Sequence, residues 1–427
     1  MLSVFDEMIS AQKRGKAKGI ASVCSAHPRV IKQALKMFDS PLVEATCNQV
    51  NQFGGYTGMT PKDFVAYVRR IAEENHIPFE NVVLGGDHLG PNVWQDEPAD
   101  SAMQKAEVLI RDYVQAGFTK IHLDCSMRLG DDPDGALRPE TVAQRAARLA
   151  KVAENAFPSP SGRGRPEGSG EGEIRYIIGT EVPLPGGATE HEEGVSVTRV
   201  DDAQQTIELT RDAFHREGLQ SAWERVIAVV VQPGVEFGDD FVLSYQPESA
   251  RELSRFIEGQ SMVYEAHSTD YQTREALSDL VRDHFAILKV GPGLTFAFRE
   301  AVFALAMIEN ELISRDQRSN IVQVLDDVMV KHPEHWKKYY RGDEAEQAFK
   351  RKYSLSDRAR YYWAQPEVQN AHLRLMKNLG EKKLPYSLLS QFVGETDLHA
   401  EQVIAWKIDQ VLDDYWAACR LDSTAGD

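Results

Sequence analysis

Acid, base and metal-ligating side chains crowd two short stretches of this sequence. Residues 85–91 read Gly-Gly-Asp-His-Leu-Gly-Pro, where paired glycines let the backbone turn sharply and present Asp87 and His88 side by side. Residues 267–270 read His-Ser-Thr-Asp. A carboxylate from Glu181 or Asp124 joining His88 and His267 makes a His/His/carboxylate set with open positions. In that arrangement a divalent ion, zinc the expected one, works as a Lewis acid. His88, His267 and Asp124 are therefore the candidate ligands, with Asp87 and Glu181 the candidate catalytic acid and base. No His-Glu-x-x-His spacing supports the metal, and the same histidines also read as substrate-contacting or structural groups. His122 alternates with Asp124, so the two share a face and His122 reads as a brace.

Other polar groups suit a sugar better than an apolar ligand. The loop 48–59 carries Asn48, Gln49, Asn51 and Gln52 with Gly54-Gly55, and Glu44, Ser126, Gln232, Ser268 and Lys289 stand near the ends of apolar runs. Val290-Gly291-Pro292-Gly293 leads into a helical pattern, so Gly291 and Gly293 read either as a phosphate cradle of backbone N–H groups or as a tight turn. Cys24, Cys47 and Cys125 lie in apolar runs without a flanking base, which makes them small buried hydrophobes rather than nucleophiles.

The elements that must position these groups are short apolar runs at 19–25, 41–47, 81–87, 120–126, 175–182, 226–232, 261–267 and 285–290. Their near-continuous apolar character suits parallel strands buried on both faces. Helical patterns follow at 28–38, 61–76, 101–116, 139–156, 201–218, 247–257, 271–283 and 296–314, and Thr60-Pro61-Lys62-Asp63 is a capping box with proline at the first helical position. Eight strand–helix units predict an α/β fold, a (β/α)8 TIM barrel over 1–315, with an open doubly wound sheet as the alternative. In a barrel the chemistry sits where strands end, and the candidate residues above stand at such ends. Residues 158–173, rich in Pro, Gly and Ser, read as a flexible loop on the opposite face. From 316 to 427 the strand signal stops, and aromatic-rich helices at 319–330, 344–353, 356–379 and 398–418 read as a helical region packed on the barrel, their aromatics as packing core.

Composition narrows the partners. Among 427 residues, 48 Lys and Arg face 65 Asp and Glu, a formal net charge of −17 that repels nucleic acid and anionic membranes. Four cysteines without a CxxC pair, no apolar run of signal-peptide length and no stretch long enough to span a bilayer predict a cytoplasmic protein. A homo-oligomer is the expected assembly.

At these residues the sequence resembles the GatZ/KbaZ family, known as accessory subunits of class II tagatose-bisphosphate aldolase. The resemblance is carried by CSAHPRVIKQAL, EATCNQVNQFGGYTGMTP, LGGDHLGPNVW, KIHLDCSM, GTEVPLPGGA, VVQPGVEFG, VYEAHSTDYQT, ILKVGPGLTFAFREAVFAL, HWKKYYRG and DRARYYW, which together span nearly the whole chain. It implies a barrel with C-terminal helices, a phosphorylated ketohexose ligand and a class II aldolase catalytic subunit as partner. Family members are described as non-catalytic subunits, as tagatose 6-phosphate kinases, and as epimerases interconverting D-tagatose 6-phosphate and D-fructose 6-phosphate. Neither a Walker loop nor a kinase-type glycine loop is present. A polar barrel mouth favours an isomerase of the epimerase type over the subunit. Carbon 4 of a 2-ketose lies β to the carbonyl, so inversion there calls for metal-assisted retro-aldol cleavage rather than enolisation.

Overall fold

The computed structural model describes residues 3–157, 173–179, 195–381 and 383–420. All eight apolar runs form strands: β1 (Ile20–Cys24), β2 (Leu42–Thr46), β3 (Val83–Leu89), β4 (Lys120–Leu123), β5 (Arg175–Ile178), β6 (Val226–Val230), β9 (Val263–Ala266) and β10 (Phe285–Val290). They pair in parallel and close in the order β1-β10-β9-β6-β5-β4-β3-β2, which excludes the open sheet. A small antiparallel hairpin, β7 (Glu236–Phe237) with β8 (Val242–Leu243), decorates the segment after β6. Four residues are too few to raise a strand signal in the sequence.

Helices alternate with the strands: α2 (Pro28–Met37), α3 (Pro61–Glu74), α4 (Ala99–Ala116), α5 (Pro139–Ala156), α6 (Val200–Arg216), the one-turn α7 (Gln220–Trp223), α8 (Pro247–Glu258), α9 (Arg274–Arg282) and α10 (Pro292–Leu312). Proline opens α2, α3, α5, α8 and α10, where its missing N–H costs no intrahelical bond. Of the predicted loop 158–173, only Glu173 is among the described residues.

A helix not foreseen, α1 (Val4–Lys13), precedes the barrel. Ser3 and Asp6 form its capping box, and its Phe5 and Met8 plug the N-terminal mouth against Ile20, Leu42, Ile177, Ile227, Val263 and Ile287. Phe5 and Met8 are almost fully buried, worth about 1.5–3 kcal/mol each. An Asp6–Arg175 ion pair at 2.9 Å ties the plug to β5. The lower barrel is thus apolar and closed, and ligand access falls to the opposite end.

Beyond α10 come α11 (Ile321–Lys331), α12 (Glu344–Tyr353), α13 (Pro366–Leu379), α14 (Tyr386–Phe392) and α15 (Ala400–Ala418). The predicted helix at 356–379 is in fact a 3₁₀ turn (Arg358–Tyr361) and then α13, because Pro366 cannot continue a helix entering from its N-terminal side. Helix α15 lies along α2, α9 and α10. Its Tyr415 hydroxyl donates to the Thr269 carbonyl (2.8 Å), just past β9. Arg29 of α2 forks onto Glu401 (2.5 and 2.8 Å), and the buried Arg299 of α10 pairs with Asp357 at 2.8 Å.

Candidate active-site cleft at the barrel mouth

Above the apolar plug the barrel interior becomes charged. Alternation along β4 sends Lys120 and His122 inward, β2 supplies Glu44, β9 supplies Glu265 with His267 following, and β10 supplies Lys289. None of these, nor Asp87, His88 or Asp124, is more than 5% exposed. Asp87 and His88 are consecutive, so a regular strand would point them to opposite faces. The register of β3 against β4 shifts between Gly86 and Leu89, and His88 adopts φ 48°, which delivers both side chains to the mouth. Such a left-handed residue other than glycine carries a local conformational cost of about 1–3 kcal/mol and concentrates at functional sites.

The charges are matched in a chain. Asp87 Oδ2 lies 2.9 Å from Lys289 Nζ, Lys289 also pairs with Glu44, and Lys120 Nζ stands 2.6 Å from both Glu44 Oε1 and Glu265 Oε2. Glu265 Oε1 accepts from His267 Nε2 at 2.9 Å, and Asp87 Oδ1 accepts from His122 Nδ1 at 2.9 Å. Burial alone would raise the Asp87 carboxyl; His88 and Lys289 outweigh it and hold the group well below the usual carboxylate range. Burial opposes charge on His88 too, but Asp87 and Asp124 raise its imidazole above the ordinary value. His267 goes the other way, pushed down to about 4 by burial against the pull of Glu265.

Two imidazoles and two carboxylates, from Asp87, His122, Glu265 and His267, bring ligand atoms within 4.8 Å of one another. His122 Nδ1 is engaged by Asp87 and by the His88 N–H (3.2 Å), while its buried Nε2 has no hydrogen-bond partner. That orphaned donor atom fits a metal, and this group of four could bind one. It differs from the predicted set of His88, His267 and Asp124. The Asp124 carboxylate is turned to His88 Nδ1 (2.9 Å), Asn92 Nδ2 (2.7 Å) and Ser126 Oγ (2.6 Å) and is not part of this group. His122, read from sequence as the brace, holds the open nitrogen. The clue available in sequence was charge: Lys120 and His122 alternate in a run otherwise covered on both faces, so they had to face the barrel axis.

A cavity of about 690 Å³ opens above this floor. Of the predicted residues, Asn48, Gln49, Asp87, His88, His267, Ser268, Lys289 and Gly291 line it. Glu44 lies beneath the floor in the ion-pair chain, Ser126 is engaged with Asp124, and Gln232 Oε1 accepts from the Gly234 N–H (2.8 Å) and Val235 N–H (3.1 Å) in its own loop. Glu181 lies outside the described residues. The Gly291–Gly293 turn does not present open N–H groups, because both amides donate to Asp270 Oδ1, at 2.9 and 2.7 Å. Sequence reasoning also missed Arg360, Tyr361, Trp363 and His372, which line the cavity from the C-terminal region. Their aromatic neighbours had marked that region as packing core only.

His27, on the cavity wall against Phe298, is pushed down to about 3 by burial. An imidazole held below its unfolded value of about 6.5 is neutral in the native state. Its share of stability is complete above that value and is lost as pH falls toward 3. Urea unfolding at pH 7 and pH 5 should show a smaller loss in His27→Gln than in the unsubstituted chain, by about 2 kcal/mol at 1.36 kcal/mol per pH unit. Equal losses would remove His27 as the cause.

Residues 5–420 match the family model described as D-tagatose-1,6-bisphosphate aldolase subunit GatZ/KbaZ-like. A D-tagatose-1,6-bisphosphate aldolase subunit GatZ from Klebsiella pneumoniae subsp. pneumoniae is 51% identical over 431 residues, covering 98% of this chain and 99% of that protein. The GatZ subunit of Salmonella typhimurium is 50% identical, covering 97% and 99%. The crystal structure of a "probable tagatose 6 phosphate kinase" from Sinorhizobium meliloti 1021 superposes with a TM-score of 0.85 at 45% identity, covering 94% of this chain and all of that one. No helix among the described residues is long and apolar enough to cross a membrane. The isomerase expectation is corrected by these relatives, which are named as aldolase subunits and not as epimerases. A charged barrel mouth, on which that expectation leaned, says that a polar ligand is held but not which bond changes. The chain belongs to the D-tagatose-1,6-bisphosphate aldolase subunit GatZ/KbaZ-like family.

Proposed function

We propose that this chain is a subunit of a D-tagatose-1,6-bisphosphate aldolase, that it takes a class II catalytic chain as partner, and that its barrel mouth binds a phosphorylated ketohexose. The observation that carries the reading is identity of half the residues to named GatZ subunits across nearly the full length of both chains. The cavity supports it: its volume is ample for a hexose phosphate, Asn48, Gln49 and Ser268 offer hydrogen bonds to hydroxyls, and the charged floor suits a polar carbonyl end. Four free cysteines agree with a cytoplasmic setting. Co-expression with a class II tagatose-bisphosphate aldolase chain tests the pairing. The two should co-elute, and aldolase activity or its half-life at 37 °C should rise at least about fivefold, within the range of linkage stabilisation by a bound partner. Separate elution with unchanged aldolase activity would refute the pairing.

We further propose that Asp87, His122, Glu265 and His267 hold one divalent ion, zinc by the match of imidazole and carboxylate donors to its preferences. Bound there, zinc supplies Lewis-acid polarisation of a ligand oxygen. Around it the chain's own groups orient the ligand: Lys289 stands over Asp87, and His88 is held by Asp124 against the mouth. After zinc loading and dialysis, metal analysis should find about one zinc per chain and almost none in His122→Gln/His267→Gln, since losing two ligands removes most of a site's affinity. Equal zinc in both proteins would refute the assignment.

A further inference from the structure

Among the described residues, three cationic side chains other than histidine line the mouth cavity: Arg29, Lys289 and Arg360. Arg29 is committed to Glu401, and Lys289 to Glu44 and Asp87. Arg360 alone has no carboxylate within ion-pair distance among the described residues. Its guanidinium is fixed from behind, with Nη1 donating to the Ser356 and Asp357 carbonyls and Nη2 to the Tyr361 hydroxyl at 2.9 Å. The remaining donors, Nε–H and the second Nη2–H, have no protein partner among the described residues. A second orphan stands on the same wall. Trp363 is 7% exposed and lines the cavity, and its indole Nε1–H has no hydrogen-bond partner.

A guanidinium held in a fixed orientation without an ion-pair partner among the described residues, lining the same cavity as a buried unpaired N–H, calls for an anion with several acceptor oxygens. The turn where barrels commonly seat phosphate is closed to one here, because the Asp270 carboxylate already accepts from Gly291 and Gly293 and would repel a second anion. We propose that Arg360 and Trp363 form the seat for the phosphate monoester of the ligand, contributed by the C-terminal region to the cavity that His267 also lines. The seat rests on the reading of the mouth as a phosphorylated-ketose site, and it adds which residues choose phosphorylated over free sugar. Arginine suits this task because its planar fork meets two phosphate oxygens at once, a geometry that lysine cannot copy.

Calorimetric titration of the full chain with D-tagatose 6-phosphate, D-tagatose and inorganic phosphate tests the seat. Arg360→Gln should weaken D-tagatose 6-phosphate about thirtyfold or more, in line with loss of a charge-assisted bidentate contact, and leave D-tagatose within about threefold. Trp363→Phe, which keeps the ring and loses only the N–H, should weaken the phosphorylated ligand by about fivefold, and Arg360→Lys should fall between the two. The latter two variants decide the matter if Arg360→Gln does not fold. Unchanged affinity for D-tagatose 6-phosphate in the folded variants would overturn the seat while leaving the phosphorylated-ketose reading intact. Wild-type binding of inorganic phosphate that Arg360→Gln or Trp363→Phe weakens, with no binding of either sugar, would uphold the seat and overturn that reading. No wild-type binding of phosphate or sugar phosphate would overturn both.

Discussion

Replacing Lys120 with methionine should destabilise the chain by about 3–5 kcal/mol, the cost of leaving buried charge unmatched. Lys120 Nζ is 2.6 Å from Glu44 Oε1 and 2.6 Å from Glu265 Oε2, and all three side chains are fully buried. Burial works against the ammonium, yet Glu265 and Glu44 outweigh it and raise the group above its ordinary value. Methionine fills the same space and removes the lysine that touches Glu265, so the loss is electrostatic and not a cavity. The intact network contributes far less than this figure, because desolvating three ions offsets most of their attraction. The triple variant Lys120→Met/Glu44→Gln/Glu265→Gln should therefore recover half or more of the loss. Urea unfolding monitored by tryptophan fluorescence measures both, and a Lys120→Met loss under 1 kcal/mol would sink the argument.

A larger effect is expected from a single methyl group. A Cβ built on Gly90 would stand 1.7 Å from the carbonyl oxygen of Asp124, inside the covalent envelope of the neighbouring strand end. Gly90 is extended, at φ 176°, so no conformational preference explains the glycine; only the approach of two backbones does. Alanine must push the end of β3 away from the end of β4, where Asp124 N donates to Leu89 O at 3.0 Å and Asp124 holds His88. Gly90→Ala should abolish soluble expression or cost more than about 4 kcal/mol, the diagnostic range for backbone overlap. Gly218→Ala is the control. Its φ is 76° but nothing lies within 4 Å of the new methyl, so only left-handed strain applies, about 1 kcal/mol. Similar losses in the two variants would refute the steric account.

The strands were legible in this sequence because burial on both faces leaves runs such as VIAVVVQ no room for polar alternation. Strand ends then located Asp87, His88, His267 and Lys289 at the mouth. Pairing was not legible. Two-residue alternation tells which face His122 shares with Asp124, but not that a bulge at His88 would hand Asp124 to His88 and leave His122 with the open nitrogen. Nor does Gly-Pro-Gly reveal that Asp270, twenty-one residues before Gly291 in the chain, has taken its amides. The plug helix α1 was missed because its two anchoring side chains, Phe5 and Met8, are too few to set a helical period against a charged background. The Arg360 wall was missed because aromatic residues signal packing and cleft lining alike.

The chain of alternating charges inside the barrel also bears on how the molecule is made. Glu44 and Asp87 belong to early strands, and the ammonium that touches both, Lys289, arrives 245 residues after Glu44, on the final strand. Until β10 closes against β1, a ribosome-bound or half-formed barrel would have to bury carboxylates short of a cation, so it gains nothing by collapsing early. Closure should then be a late, concerted event dominated by contacts of long sequence separation, which slows folding and leaves nascent strands waiting for their last neighbour. An independently stable N-terminal half-barrel is disfavoured for the same reason, since it would hold Glu44 and Asp87 against Lys120 without Lys289.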